Sequence, residues 1–149
     1  MLYVLCRIGR DAYAISSEAV ERVLPFAALK TLPGGVRGLT GLLSYQGISV
    51  PVVDLCLLLG GSPAREVAGT RLLLCPVEGL RNGRLALLVE HVSEVVRLTD
   101  ADFRPAGATG DECLDAVADF DGRLIQRIEV PRILPPEVLA SLDLSLEFA

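Results

Sequence analysis

Two short apolar runs flank a polar turn in the first third of the chain, and this pattern predicts a β-hairpin. Residues 41–45 and 48–53 are mostly apolar, and Gln46-Gly47 lies between them. Glycine readily adopts the positive φ angle of a tight hairpin turn, so Gly47 fits the turn. Pro51 cannot donate a hydrogen bond to a neighbouring strand, so we expect the second strand to be an edge strand or to be bulged there.

Helices are predicted on either side of this hairpin. Asp54 can cap an apolar helix over residues 55–59, which Gly60-Gly61 then ends. Earlier in the chain, Ser16 or Ser17 can cap a short helix. One face of that helix would carry Ala19, Val20, Val23 and Leu24.

The hairpin and its helix are repeated near the C-terminus. Residues 120–134 repeat the pattern without a gap when Gly122 is aligned with Gly47, and residues 86–96 repeat 14–24 at a nearly equal offset. Chance is the alternative explanation, because valine and leucine are common in this chain. Two similar pairs in the same order favour two similar β subdomains in one compact unit.

The remaining elements are mostly short strands separated by glycine and proline turns. Strands are predicted over 2–8, 12–15, 70–77, 85–89, 113–120 and 123–130. Residues 91–98 fit either a strand or a helix, since their valines suit both patterns. A last helix starts at Pro135 and runs through about Leu142, and 143–149 forms an added strand or a loose tail.

Short strands at close spacing predict an all-β fold with a few short helices, built as barrels or a sandwich rather than as an α/β fold. The 149 residues suit a single domain or two small, closely packed halves. Apolar residues make up 51% of the chain and charged residues 22%, which is sufficient for a core and argues against disorder.

The charge and the termini exclude some classes of partner. The net charge of −5 and the lack of a basic stripe with interleaved aromatic residues argue against nucleic-acid binding. The N-terminus lacks the features of a signal peptide, and no apolar run approaches the ~20 residues of a membrane-spanning helix. We therefore expect a soluble, cytoplasmic protein without direct membrane insertion.

Neither a catalytic site nor a metal site is predicted. His91 is the only histidine, and a packed or surface role suits it better than a catalytic one. The cysteines, at positions 6, 56, 75 and 113, form no CxxC pair and are predicted to be reduced, buried thiols. The carboxylates of Asp115, Asp119 and Asp121 are explained by a solvated strand face. No cofactor motif occurs.

Several positions near the hairpin are candidates for contact with another protein. Val20 is predicted to lie on an exposed helix, Leu42 and Tyr45 on the hairpin, and Gln46 at its tip. The tips of rigid hairpins are common contact points, although turn chemistry alone would also account for Gln46.

The motifs of the chain together resemble the CheW family of chemotaxis coupling proteins. The resemblance is carried by Tyr13-Ala14-Ile15, by Val20-Glu21-Arg22-Val23, by Pro33, by the segment from Gly38 to Leu55, and by the segment from Leu88 to Val96. It covers nearly the whole chain, and the pattern from Gly41 through Gly47 to Pro51-Val52-Val53-Asp54-Leu55 is its most specific part.

The resemblance implies a fold and a function. The fold would be a single CheW-like domain over 1–149, in which two SH3-like five-stranded β-barrel subdomains are intertwined. The function would be that of a non-enzymatic adaptor, which couples the cytoplasmic tip of methyl-accepting chemoreceptors to the regulatory domain of a CheA-type histidine kinase. Other CheW-like proteins are further implied partners, and recruitment to membrane-associated or cytoplasmic receptor arrays is the implied location.

The residues implied in partner binding are Val20, Arg22, Gly41, Leu42 and Gln46. Two of them depart from the family pattern. Gln46 stands where the family usually has arginine, and Arg22 stands where an acidic residue is common. These departures favour a non-standard member of a surface-sensing, motility or pilus pathway.

Two other functions stay open at this point. A small-molecule-binding β-barrel or an enzyme would need a deep pocket with convergent polar groups. A protein that caps kinase arrays or competes within them would bind the same partners without stimulating the kinase.

Overall fold

The computed structural model describes residues 1–31, 38–80, 82–107 and 112–147, and for 141 and 143–147 it describes the backbone alone. Pro33, one of the residues that carry the resemblance, lies outside the described residues. In chain order the strands and α-helices are β1 (Leu2–Ile8), β2 (Asp11–Ser16), β3 (Arg22–Pro25), β4 (Lys30–Thr31), β5 (Leu39–Tyr45), β6 (Ile48–Asp54), α1 (Leu55–Gly60), β7 (Arg71–Pro76), β8 (Arg84–Val89), β9 (His91–Arg97), β10 (Phe103–Pro105), β11 (Leu114–Phe120), β12 (Arg123–Ile128) and α2 (Pro136–Glu147). Short 3-10 helices lie at Ser17–Ala19, Asp100–Asp102 and Val130–Arg132.

The strands form two sheets, and each sheet takes strands from both halves of the chain. The first has the order β10-β11-β12-β2-β1-β9, and the second has the order β3-β7-β8-β6-β5-β4. When the second order is reversed, the strands of the two sheets correspond one to one. The corresponding pairs are β4 and β10, β5 and β11, β6 and β12, β8 and β2, β7 and β1, and β3 and β9. Each half therefore gives its first hairpin, β1–β2 or β7–β8, to the sheet that the other half completes.

The two parallel strand pairs show which residues of the halves are equivalent. Val52 of β6 faces Ala86 of β8, and Arg127 of β12 faces Ala14 of β2. Arg127 corresponds to Val52 in the alignment of the two hairpins, so Ala14 must correspond to Ala86. The pairing confirms both parts of the internal repeat predicted from the sequence.

Strand β7 shows how the cores are layered. Successive side chains of a strand point to opposite faces, and those of β7 alternate between two apolar clusters. Leu72 and Leu74 pack among residues of the second sheet, whereas Leu73 and Cys75 pack in a central cluster that joins the two sheets. Burial on both faces explains why this strand is a continuous apolar run rather than an alternating one.

The turns and caps predicted from sequence are present in both halves. Gln46 and Gly47 have φ angles of 49° and 79°, and Asp121 and Gly122 have φ angles of 50° and 73°. Consecutive positive φ angles are those of the tight turn that matches the twist of a hairpin. The Asp54 side chain caps α1, as predicted.

The helical face predicted over Ala19, Val20, Val23 and Leu24 is wrong. The helix is a single 3-10 turn at Ser17–Ala19, and the chain then enters β3. Strand β3 pairs with β7, and Val23 lies opposite Leu73. The ladder to β7 overrides the local periodicity, as tertiary pairing commonly does for valine-rich segments.

Two further expectations are corrected. Pro51 lies in a central strand between β5 and β8, and the register shift of β5 lies between Leu39 and Gly41 instead. The ladder to β8 begins at Val52, so Pro51 lies just before it. Residues 143–147 form neither an added strand nor a loose tail, because α2 continues to Glu147. Residues 91–97 form a strand, one of the two alternatives.

Candidate partner-binding surface

Two of the five predicted contact residues lie inside the fold. Leu42 is 6% exposed, and Gly41 is also buried. A Cβ atom on Gly41 would come within 2.5 Å of the Lys30 carbonyl oxygen, so glycine permits the close approach of β4. The burial of Leu42 and Gly41 leaves little of either residue accessible to a partner. Both residues serve to position the hairpin.

The other three predicted residues remain accessible. Val20 is half-buried directly after the 3-10 turn and packs partly against the central cluster. Arg22 is exposed at the start of β3, and Gln46 is exposed at the tip of the β5–β6 hairpin.

Arg84 links the two accessible segments. Its Nε donates to Glu21 Oε1 at 3.0 Å and its Nη2 donates to Glu21 Oε2 at 3.2 Å. The guanidinium carbon also lies 5.9 Å from the centre of the Tyr45 ring, beside Gln46. The hydrogen bonds of Arg84 lower the pKa of Glu21, and those of Glu21 raise the pKa of Arg84. The start of β3 is thus tied to the hairpin through one side chain.

Val23 is a surface residue that sequence reasoning missed. Its side chain is 47% exposed on β3, which is an edge strand of the second sheet. The internal repeat places it on Val95, which is 58% exposed on β9, an edge strand of the first sheet. The repeat could have revealed that Val23 lies on a strand, because it aligns Val23 with Val95 and a strand was one of the two predictions for residues 91–98. We name Glu21, Arg22, Val23, Tyr45 and Gln46 the β3–hairpin surface.

The cysteines are suited to packing and not to nucleophilic chemistry. All four are buried thiols that are not joined in disulfides, as predicted. Burial raises the pKa of Cys6 and of Cys75 to about 12, and that of Cys56 to about 11. These thiols therefore stay protonated at neutral pH, whereas the thiolate is the reactive form.

The described residues do not assemble a metal site. Among them, no group of three or more histidine, cysteine or acidic side chains could hold a metal ion. Within the same ranges, every buried side-chain nitrogen or oxygen has a hydrogen-bond partner.

Each sheet encloses its own packed cluster of side chains. The cluster of the second sheet includes Val50, Val52 and Leu72, all at 0% exposure, and that of the first includes Leu5 and Ile125. Apolar side chains fill these interiors, which counts against a ligand bound inside either sheet. In the part of the chain that the structure describes, no helix has the length and apolar character needed to cross a membrane.

A model of the CheW-like domain matches residues 2–137. The chain belongs to the CheW-like domain family. The chemotaxis protein CheW of Rhizobium meliloti (strain 1021) is 24% identical over 138 residues, which cover 88% of this chain and 85% of that protein. A probable chemotaxis protein CheW of Rhizobium etli is 25% identical over 99 residues, which cover 66% of this chain and 62% of that protein.

A solved CheW structure has the same fold. The scaffolding protein TtCheW from Thermoanaerobacter tengcongensis superposes with a TM-score of 0.80 at 18% identity, covering 90% of this chain and 87% of that chain. The fold has two SH3-like barrel subdomains, and the all-β prediction is confirmed. In the part of the chain that the structure describes, each sheet contains six strands, counting the two-residue β4 and the three-residue β10.

Membership of the family also confirms the predicted class of function. Proteins of the CheW family are non-enzymatic scaffolds, and the chain is a chemotaxis coupling adaptor rather than an enzyme. A CheW-like scaffold interacts in general with chemoreceptors and with CheA.

Proposed function

We propose that this adaptor joins the cytoplasmic tip of a methyl-accepting chemoreceptor to the regulatory domain of a CheA-type histidine kinase. It acts in the cytoplasm, at receptor arrays, and it binds the receptor tip through the β3–hairpin surface. Other CheW-like proteins are further partners within the array. The departures at Arg22 and Gln46 support a receptor of a surface-sensing, motility or pilus pathway.

The exposure of Val23 on an edge strand is the observation that carries the receptor proposal. An edge strand presents backbone groups that are not paired within its own sheet, and Val23 adds an apolar side chain at the same place. Protein interfaces commonly have an apolar core surrounded by a polar rim. Arg22 and Gln46 are exposed polar residues of the β3–hairpin surface.

The Glu21–Arg84 pair supports the proposal in a second way. It fixes the start of β3 against β8 and brings the guanidinium group beside Tyr45. A surface that is ordered before binding loses less conformational freedom when the partner docks. The order that this ion pair imposes therefore favours a protein contact at the β3–hairpin surface.

The experiment compares one substitution at two equivalent places. Val23→Asp should weaken binding to a receptor tip fragment at least tenfold, because it places a charge in the apolar centre of the contact. Val95→Asp makes the same change on the edge strand of the other sheet and should leave receptor affinity within about twofold. Affinities are measured by calorimetry, and the circular dichroism spectrum of each variant shows whether it is folded.

The same pair of variants also tests for two separate contacts. An adaptor that holds two partners at once should keep its kinase affinity when the receptor contact is lost, so Val23→Asp should still bind the kinase regulatory domain. Equal receptor affinities for the two folded variants would overturn the assignment of the β3–hairpin surface.

A further inference from the structure

A large cavity lies at the end of β1, away from the hairpin tip. Its volume is about 740 Å³, and it is formed where the β1–β2 turn, the end of α1, residues 62–65, the β8–β9 junction and the start of β12 meet. Strand β6 runs from the hairpin tip to α1, so the cavity and Gln46 lie near opposite ends of that strand. The charged and imidazole side chains that line it are Arg7, Arg10, Arg65, Glu90, His91 and Arg123.

The cavity is basic although the protein is acidic. Four guanidinium groups and one carboxylate line it, in a chain whose net charge is −5. Arg65 Nε bonds to Glu90 Oε1 at 2.9 Å, and an Arg123 nitrogen bonds to Glu94 Oε1 at 3.0 Å. Arg7 and Arg10 make no ion pair with any residue of the described ranges. Two guanidinium groups are thus left for a ligand.

Strand pairing holds the free guanidinium groups at the cavity. Arg7 is the next-to-last residue of β1 and lies between Ala12 of β2 and His91 of β9. The short side chain of Ala12 also lines the cavity, so it leaves space beside Arg7. The tight turn at Gly9, with φ of 62°, returns the chain so that Arg10 lines the same space. The cavity is therefore built from ladder positions and one fixed turn.

We infer that this arginine cavity binds a small anion that carries two or more phosphate groups. Guanidinium groups match phosphate oxygens with two hydrogen bonds each, and several of them together favour a ligand with more than one anionic group. A volume of about 740 Å³ lies within the range of small-molecule sites.

The test uses tripolyphosphate as the probe and the full chain as the protein. Isothermal titration calorimetry at low ionic strength should show one binding site for tripolyphosphate. Inorganic phosphate should bind at least tenfold more weakly. Affinity should fall as salt is added, because the site acts through charge. Arg7→Gln combined with Arg10→Gln should lower tripolyphosphate affinity at least thirtyfold.

The matched control removes two arginines from elsewhere. Arg97→Gln combined with Arg132→Gln makes the same change in net charge at exposed positions outside the cavity lining, and it should change the affinity by less than twofold. Equal thermal unfolding midpoints would show that both double variants are folded. Equal losses of affinity in the two would reveal a general charge effect and overturn the inference.

Two other results would also overturn it. One is a wild-type protein that binds no tripolyphosphate at millimolar concentration. The other is a glutamate-rich peptide that binds the cavity more tightly than tripolyphosphate, which would make the occupant an acidic protein segment. The cavity variants should still bind the receptor tip and the kinase domain, so failure here is distinguishable from failure of the proposed function.

Discussion

Ala14 pairs in parallel with Arg127, a residue from the opposite end of the chain. The equivalent pair, Val52 and Ala86, completes the other sheet in the same way. Neither sheet can therefore form from one half of the chain alone. Because the central cluster also takes residues from both sheets, the halves depend on each other for burial as well as for pairing.

We propose that the two intertwined subdomains form one folding unit. Urea unfolding should show a single transition that coincides when it is followed by circular dichroism and by chemical labelling of the buried Cys6 and Cys75 thiols. A fragment of residues 1–69 should be unfolded, since it lacks β7 and β8. A folded fragment, or two separate transitions, would contradict this.

Asp54 should be one of the most sensitive polar positions. One carboxylate oxygen accepts from the Leu57 amide at 3.1 Å and the other from the Ala64 amide at 2.8 Å, and the residue is 2% exposed. Asp54→Ala would leave both amides without this partner, and we expect a loss of about 2–3 kcal/mol in the free energy of unfolding. Urea denaturation measures it.

The control for that variant is an exposed aspartate with a single surface pair. Asp119 meets Arg104 at 3.1 Å, and both side chains are more than half exposed. Asp119→Ala should therefore cost less than about 0.5 kcal/mol. Equal losses in the free energy of unfolding for Asp54→Ala and Asp119→Ala would show that the Asp54 hydrogen bonds stabilise the protein no more than an exposed ion pair does.

Leu42→Asp should unfold the protein rather than act on a partner directly. The side chain is 6% exposed, so a charge placed there would be largely removed from water. We expect a loss of more than about 3 kcal/mol, against less than about 1 kcal/mol for Val23→Asp. A Leu42→Asp protein with wild-type stability and lost receptor binding would restore Leu42 as a contact residue.

The Asp115–Arg127 pair predicts a dependence of stability on pH. Partial burial raises the pKa of Asp115, but two hydrogen bonds from Arg127, at 3.0 Å and 2.8 Å, outweigh it and the net pKa shift is downward. A carboxyl whose pKa is lowered by folding stabilises the protein above its unfolded pKa of about 4, and this contribution is lost as the pH falls through the folded value.

Asp115→Asn should remove that contribution. At pH 7 we expect the variant to be less stable by about 1–2 kcal/mol, and the difference should shrink as the pH falls below about 4. Urea midpoints at pH 7, 5 and 3 measure it. A difference that stays constant from pH 7 to pH 3 would mean that ionisation of Asp115 does not contribute.

Local chemistry made much of the fold predictable. The turn at Gly47, the cap at Asp54 and the internal repeat all depend on residues close in sequence, and the structure has each of them. The failures came where distant pairing decides the outcome. Val23 fits a helical pattern until β7 pairs with it, and Pro51 fits an edge strand until β8 joins beyond it.

The site was less predictable than the fold. The sequence indicated Arg22 and Gln46, which are exposed. Nothing in it indicates that the β4 backbone covers Gly41. It also missed Arg84, because nothing near that residue in sequence indicates that it reaches Glu21. Close approach of strands and long-range ion pairs exist only in the folded chain.

The most direct test of the account is whether the purified chain bridges its two partners. Size-exclusion chromatography of the chain mixed with a receptor tip fragment and a kinase regulatory domain should give one peak that contains all three. Omitting the chain should separate the receptor fragment from the kinase domain. A folded chain that elutes separately from both the receptor fragment and the kinase domain would contradict the proposal that it couples receptor to kinase.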